Sequence, residues 1–171
     1  HDVKTEDDFR RELESMKWEK PGKSVYSNAG YQTLGLVVKT ISGMPLYSYV
    51  QKEVFSKLVV PSAKNQVEGI NSDCGTTSVI KPDFAYAVGS GGSIGTPQAI
   101  AEFFIALNEN KILSAALKNA MFEDPQQIGY GLGMRIKTVD GQKILNHNGA
   151  VPGFKAFVMF NEKREYLFVF S

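Results

Sequence analysis

The hydrophobic pattern changes period once along the chain, from a helical repeat to an alternation typical of strands. Helical spacing of apolar residues predicts helices over about 6–20, 29–42, 45–58, 97–107 and 115–121. Suitable capping residues stand at their ends, namely Thr5, Gly43, Pro45, Thr96 and Ser114. Residues 61–85 show little periodicity and predict an irregular surface segment. The first part of the chain is therefore predicted to be mostly helical.

The last part of the chain predicts an antiparallel sheet. Apolar residues alternate with small or polar ones from Tyr130 to Ile136, which is typical of a strand with one buried face. Asp140-Gly141 is a strong hairpin signal. Three further strands are predicted over 143–147, 154–160 and 166–170. Because the connections between them are short, we expect a meander and an α+β fold.

The last predicted strand, 166–170, is apolar at every position, so both of its faces should be buried. The predicted helices suffice to cover one face of the sheet only. We therefore expect further polypeptide, in the same gene or in a second chain, to complete this layer. The prediction is a single partial domain over 1–171, mostly helical over 1–125 and sheet over 126–171, incomplete at both ends.

Composition excludes several classes of function. A chain of 171 residues with net charge +1 can bury one core and gives no electrostatic case for nucleic acid. No stretch approaches the roughly 20 apolar residues of a membrane span. Cys74 is the only cysteine, which excludes an internal disulfide. Two histidines and one cysteine without ligand spacing predict no metal site, and we expect no cofactor.

The tripeptide Tyr26-Ser27-Asn28 lies just before a predicted helix. In a catalytic interpretation, the Tyr26 hydroxyl near a lysine exchanges a proton with a serine nucleophile, and the Asn28 amide contacts that lysine or a substrate carbonyl. In the structural interpretation, Ser27 or Asn28 caps the helix and Tyr26 packs against it. The motif alone leaves both open.

A second tripeptide, His147-Asn148-Gly149, ends a predicted strand about 120 residues later. A glycine at a strand end lets a substrate backbone approach closely, and the Ala150 N–H could point at a developing oxyanion. His147 could bond the substrate or a proton network. The alternative is a turn whose histidine is an ordinary surface residue.

One literal match to the nucleophile motif S-x-x-K is a decoy, Ser78-Val79-Ile80-Lys81. The chemistry needs the serine at the start of a buried helix, with the lysine one turn later. Pro82 follows Lys81 directly and disfavours helical geometry there. Glycines over 89–92 suggest a sharp turn with positive φ, since no P-loop context follows them.

In combination the motifs resemble the serine β-lactamase and penicillin-recognising hydrolase superfamily. The segment 21–35, PGKSVYSNAGYQTLG, closely resembles the region around the second motif of class C β-lactamases and their relatives. Segment 89–92 resembles the family's glycine-rich stretch, and 147–154, HNGAVPGF, resembles its third motif. The similarity follows the family's order over nearly the whole chain, except that no S-x-x-K precedes Tyr26.

The resemblance implies a β-lactamase-like fold and an acyl-enzyme mechanism on an amide or ester, in a small molecule or a peptide. Tyr26 would be the general acid and base, and Asn28 a partner of substrate and lysine. His147, Asn148 and Gly149 would line the strand side of the site, and the Ala150 N–H would supply half of the oxyanion hole. Most bacterial members are exported, which implies a periplasmic or extracellular protein.

Two departures from the family pattern change these expectations. Histidine replaces the usual lysine of the third motif, and a mostly neutral imidazole attracts a carboxylate less, which favours a peptidase- or esterase-like relative. Without the nucleophile, this chain alone should be essentially inactive. The rival hypotheses are a catalytically dead binding module and an assembly subunit that docks through the open sheet. The substrate cannot be chosen from the sequence.

Overall fold

The structure is a computed structural model that describes residues 5–17, 22, 24–56, 67–73, 75–81, 89–163 and 167–170. Pro21, Leu58, Cys74 and Tyr166, on which some sequence predictions depend, lie outside the described residues. The chain divides into two compact units, His1–Val67 with Lys81–Ile94, and Glu68–Ile80 with Gly95–Ser171.

The described part of the first unit is helical. Helix α1 spans Glu6–Ser15 and begins with a capping box, in which the Thr5 hydroxyl accepts from the Asp8 N–H and the Asp8 carboxylate accepts from the Thr5 N–H. Helix α2 spans Asn28–Ser42 and ends at Gly43, whose φ of 68° closes the helix as predicted.

The third predicted helix is shorter than expected and changes its winding. Helix α3 spans Leu46–Tyr49 and continues as a π-helical turn over Val50–Val54. Phe55 is extended, with φ −160° and ψ 108°, so the helix ends there rather than near residue 58.

Residues 61–85 were predicted to be irregular, and that prediction is wrong for the described part of the segment. Strand β1, Gly69–Asp73, pairs antiparallel with β2, Thr76–Ile80, and Gly75 in the turn has φ 87°. The strands are polar and largely exposed, so they lack the apolar alternation that signals a strand. Ser78 lies within β2, which confirms that the S-x-x-K match does not start a helix.

The second unit contains the predicted meander. Four strands, in the order β3-β4-β5-β6, are antiparallel throughout: Arg135–Val139, Gln142–Val151, Phe154–Asn161 and Leu167–Phe170. Asp140 and Gly141 have φ of 49° and 75°, as the predicted two-residue hairpin requires. Strand β4 is longer than predicted, because β5 pairs with it as far as Val151.

The alternation from Tyr130 to Ile136 was predicted to be one strand, but β3 begins only at Arg135. The preceding residues form an irregular loop in which Gly131 N–H bonds the Met134 carbonyl and Leu132 N–H bonds the Met121 carbonyl. A Cβ on Gly131 would lie 2.5 Å from that Met121 oxygen, so the loop fits only around a glycine. The glycines that produced the alternation are loop residues.

The core of the second unit lies between the sheet and helix α4, Pro97–Asn108, which Thr96 caps as predicted. Helix α5, Ala115–Met121, is capped by Ser114 as predicted. The Phe160 ring contacts the rings of Phe104 and Phe122 at centroid distances of 5.3 and 5.8 Å. The remaining buried members of the cluster are apolar: Leu107, Met134, Leu145 and Val158.

Each unit leaves an apolar face uncovered in the described chain. On the sheet, Leu167 and Val169 pack against the core, but Phe168 on the opposite face is 55% exposed. On α2, Leu34 and Ile41 share one face and are 58% and 81% exposed. Within the described ranges, cover is therefore seen on one face of the last strand only. Among the described residues no helix is both long and apolar enough to cross a membrane.

We predict that Leu145→Ala lowers the free energy of unfolding by about 2–5 kcal/mol, because Leu145 is 0% exposed and its loss leaves a cavity in the core. The matched control is Leu117→Ala on α5, where the side chain is 59% exposed and a change within about 0.5 kcal/mol is expected. Urea denaturation measures both. Equal losses in the two variants would show that the core is not where the structure places it.

Candidate active site

The first motif begins helix α2, and the structure separates the roles of its three residues. The Ser27 hydroxyl accepts from the Gly30 N–H at 3.0 Å and is the cap, while Asn28 is already the first helical residue. Tyr26 is 55% exposed. The cap of α2 is therefore Ser27 and neither of its two neighbours in the motif. The catalytic interpretation of Tyr26 and Asn28 stays a prediction.

The second motif lies on β4, and pairing fixes the faces of its residues. Leu145 pairs with Phe160 and His147 with Val158, so His147 lies on the core face, two residues beyond Leu145. Gly149 is the next residue on this face, and no atom lies within 4 Å of where its Cβ would be. Asn148 and Ala150 point to the opposite face, and residues 148–151 are exposed. Open space therefore begins immediately beyond His147.

Strand pairing also leaves one edge of this motif open. Strand β3 pairs with residues 142–146 of β4 only, from Val139 opposite Gln142 to Arg135 opposite Asn146. Residues 147–151 pair with β5 on their other side. In the described chain no strand covers the edge of 147–151 that β3 leaves, and an extended peptide could pair there.

Two residues outside the predicted motifs contact the site. The Tyr130 hydroxyl lies 3.0 Å from Nε2 of His147, and the two rings meet nearly edge-on at 79°. On the other face, Arg135 donates from Nη1 to Oδ1 of Asn148. Both residues belong to the segment that was predicted to be one strand. The alternate glycines Gly129, Gly131 and Gly133 were the available signal, because such spacing is unsuited to a strand.

The surroundings of His147 favour the uncharged form of its ring. Burial lowers its pKa below the usual value, the positive charge of Arg135 lowers the pKa further, and a hydrogen bond with the Asn148 backbone acts in the opposite direction. Position 147 consequently lacks the permanent charge that a lysine would give there, and the permanent charge beside it is that of Arg135. Among the described residues no cluster of three or more His, Cys, Asp or Glu side chains is placed to hold a metal ion.

A groove of about 560 Å³ lies across the sheet from His147, on the face to which Asn148 points. Its lining includes Ile144, Asn146, Phe157 and Met159. The groove coincides with the uncovered apolar face described above. The groove therefore lies beside Asn148 of the motif but on the other side of the sheet from His147 and Gly149.

Comparison with known proteins decides the family. The model of the Beta-lactamase family matches residues 2–171 of this chain. The chain belongs to the Beta-lactamase family. Membership covers both motifs and agrees with the observed α+β architecture. A comparison with curated protein sequences gives no significant match.

Solved structures share this β-lactamase-like fold. A penicillin-binding protein from Bacillus halodurans superposes with a TM-score of 0.72 at 23% identity, over 90% of this chain and 53% of that one. An octameric penicillin-binding protein homologue from Pyrococcus abyssi gives 0.75 at 21%, over 94% and 41%. A D-amino acid amidase from Ochrobactrum anthropi gives 0.65 at 18%, over 83% and 49%. This chain spans about half the length of these structures.

We predict that Gly149→Ala leaves the free energy of unfolding unchanged or raises it by up to about 1 kcal/mol, because open space surrounds the new methyl group. The control is Gly153→Ala in the next turn, where φ is 80° and a Cβ would lie 2.9 Å from the Gly69 Cα. That variant should lose about 1–2 kcal/mol from the backbone conformation alone. Urea denaturation of both tests this; a large loss in Gly149→Ala would mean that a neighbour already fills the space.

Proposed function

We propose that this chain is part of a serine hydrolase that cleaves an amide or ester through an acyl-enzyme. Membership of the Beta-lactamase family over residues 2–171 carries the proposal. The two motifs support it, because Asn28 and Tyr26 are not needed as helix caps and Gly149 leaves open space on β4. The serine and lysine come from polypeptide outside these 171 residues, since the single S-x-x-K match lies in β2.

The proposed reaction has two balanced halves. The serine Oγ attacks the substrate carbonyl carbon while its proton passes to the lysine–tyrosine pair, and the resulting oxyanion is stabilised by N–H donors that include Ala150. The tetrahedral intermediate collapses, the carbon–nitrogen or carbon–oxygen bond breaks, and the leaving group takes the proton. Water then attacks the acyl-enzyme, gives its proton to the same pair and releases the acid and the serine. In this scheme Tyr26 moves the proton and Asn28 orients the lysine and the substrate.

The substrate side of the proposal rests on β4. His147, Asn148 and Gly149 line the site, and the open edge of 147–151 offers backbone groups to an extended, peptide-like substrate. The uncharged imidazole of His147 favours a peptidase- or esterase-like activity over recognition of a carboxylate. Structural relatives include a D-amino acid amidase and a D-stereospecific amidohydrolase, which supports an amide as the scissile group. We propose an exported protein, periplasmic or extracellular.

A second candidate function, an assembly or binding module without catalysis, is favoured by one observation. Phe168 on the sheet is 55% exposed and Ile41 on α2 is 81% exposed, which is unusual for large apolar residues on a chain that acts alone. The occupants of these faces would be the remaining segment of the parent protein or a second chain. A stable oligomer of the 171 residues that shows no reaction would favour this function.

We predict that a fluorescent penicillin or a fluorophosphonate labels the full-length product of the gene and leaves the 171-residue chain unlabelled. The physical reason is that acylation needs a serine nucleophile with its lysine, and we place both outside this chain. Intact-mass spectrometry followed by peptide mapping locates the label. A label on Ser78 of the 171-residue chain would overturn the assignment of the nucleophile, and silence from both proteins would favour the binding or assembly role.

We predict that Tyr26→Phe lowers the acylation rate of the full-length product by about 10²–10⁴-fold without changing its unfolding midpoint, because only the proton-transferring hydroxyl is lost. Tyr47→Phe on α3 is the matched control, since that tyrosine is 44% exposed and lies outside both motifs. Stopped-flow acylation with the penicillin probe measures the rate. Equal rates in the two variants would remove Tyr26 from the mechanism.

A further inference from the structure

The Tyr130 hydroxyl makes a direct polar contact with the side chain of the second motif's histidine. Tyr130 Oη and His147 Nε2 are 3.0 Å apart, both side chains are partly buried, and the ring centroids are 6.2 Å apart. This distance is that of an ordinary hydrogen bond. The Tyr130 hydroxyl therefore lies against Nε2, which is one of the two ring nitrogens that can take up a proton.

The loop that carries Tyr130 is held in place by its own hydrogen bonds. The Asp124 carboxylate accepts from the N–H groups of Ile128 and Gly129 at 3.0 and 2.7 Å. The Gly129 carbonyl accepts from the Ile136 N–H at 2.8 Å, which ties the loop to the start of β3. Bonds on both sides of position 130 fix where the phenol can reach. The contact with His147 is thus a fixed feature of the loop.

We propose that Tyr130 is a positioning residue whose hydroxyl donates to Nε2 of His147 and holds the imidazole in the tautomer that carries its proton on Nδ1. The Tyr130 hydroxyl can donate or accept, so the other ring nitrogen decides the direction. Hydrogen bonding with the Asn148 backbone raises the pKa of His147, and a bond with that effect is one in which the ring donates to a carbonyl. Because Nε2 faces Tyr130, the donor is Nδ1–H.

The consequence of this assignment for catalysis rests on the proposed function. With Nδ1–H donated to the backbone and the Nε2 lone pair taken by Tyr130, both ring nitrogens are engaged. His147 then serves neither as a general base nor as a cation for a substrate carboxylate. Instead it is a neutral group that orients the open half of β4, where Gly149 follows on the same face. Proton transfer is left to Tyr26 and the serine–lysine pair.

The test is heteronuclear NMR of the imidazole nitrogens in the 171-residue chain, with the only other histidine, His1, substituted. In the unaltered chain we expect an unprotonated Nε2 at neutral pH. In Tyr130→Phe, which removes only the hydroxyl, we expect an upward shift of the His147 pKa. We also expect a mixture of tautomers in which the population of the form protonated on Nε2 increases. Two side chains in the described part of the chain act on this ring: the Tyr130 hydroxyl through its contact with Nε2, and the Arg135 guanidinium through its charge.

Two controls separate positioning from general structural damage. Tyr49→Phe on α3 should leave both the tautomer and the pKa of His147 unchanged. Arg135→Gln should raise the pKa of His147 but keep the Nδ1–H tautomer, because the Tyr130 hydroxyl is still present. A protonated Nε2 in the unaltered chain, or a downward pKa shift in Tyr130→Phe, would overturn the proposal.

The same variant in the full-length product distinguishes this inference from the proposed function. In Tyr130→Phe we expect the pKa of His147 to rise, so that the ring is protonated at a higher pH. Because protonated His147 disturbs the strand that lines the site, the acid limb of the pH dependence of the acylation rate should move to higher pH. An unlabelled full-length product refutes the hydrolase proposal and leaves the NMR result standing on its own. Normal labelling with an unchanged acid limb and an unchanged tautomer refutes the role of Tyr130 alone.

Discussion

Strand β4 can turn only one set of alternate side chains towards helix α4, and Leu145 fixes which set that is. Leu145 is fully buried opposite Phe160, whose ring in turn packs on Phe104 of the helix. Since side chains alternate strictly along a strand, this anchor also determines the faces of His147 and Gly149. A slip of one residue would place Asn148 on the core face. The strand register that buries Leu145 is therefore also the register that places His147 and Gly149.

The sheet divides β4 into a structural half and an exposed half. Residues 142–146 pair with β3, and 144–146 pair with β5 as well; Ile144 and Leu145, the buried residues of the strand, belong to this doubly paired part. Residues 147–151 pair with β5, and exposure begins at Asn148. Burial is thus concentrated where pairing is complete, and the polar motif occupies the half in which backbone groups remain accessible. This arrangement holds the open edge of 147–151 on a strand whose other half is fixed by the core.

The surroundings of the motif residues decide properties that their residue types alone leave open, such as the protonation state of His147. Histidine at position 147 is ambiguous in sequence because its ordinary pKa lies near neutrality. Burial against the core face and the nearby Arg135 charge both favour the neutral ring, and Tyr130 faces one of its nitrogens. At the first motif, Ser27 caps α2, so the cap does not account for the residue types at positions 26 and 28.

The sequence by itself determined the features that depend on neighbouring residues. Helix caps at Thr5, Thr96 and Ser114 and the hairpin at Asp140-Gly141 follow from local hydrogen bonds and allowed φ angles, and all of them are found. The family also followed from the sequence, because the motifs occur in order over the chain.

Tertiary structure decided the features whose partners are distant in the chain. The polar hairpin β1–β2 is stabilised by cross-strand pairing, which periodicity does not report. The glycine loop before β3 is set by the Met121 carbonyl and the Asp124 carboxylate, and it delivers Tyr130 to a histidine 17 residues away. Local pattern cannot specify such contacts, because their energy exists only once α5, the loop and β4 have packed together.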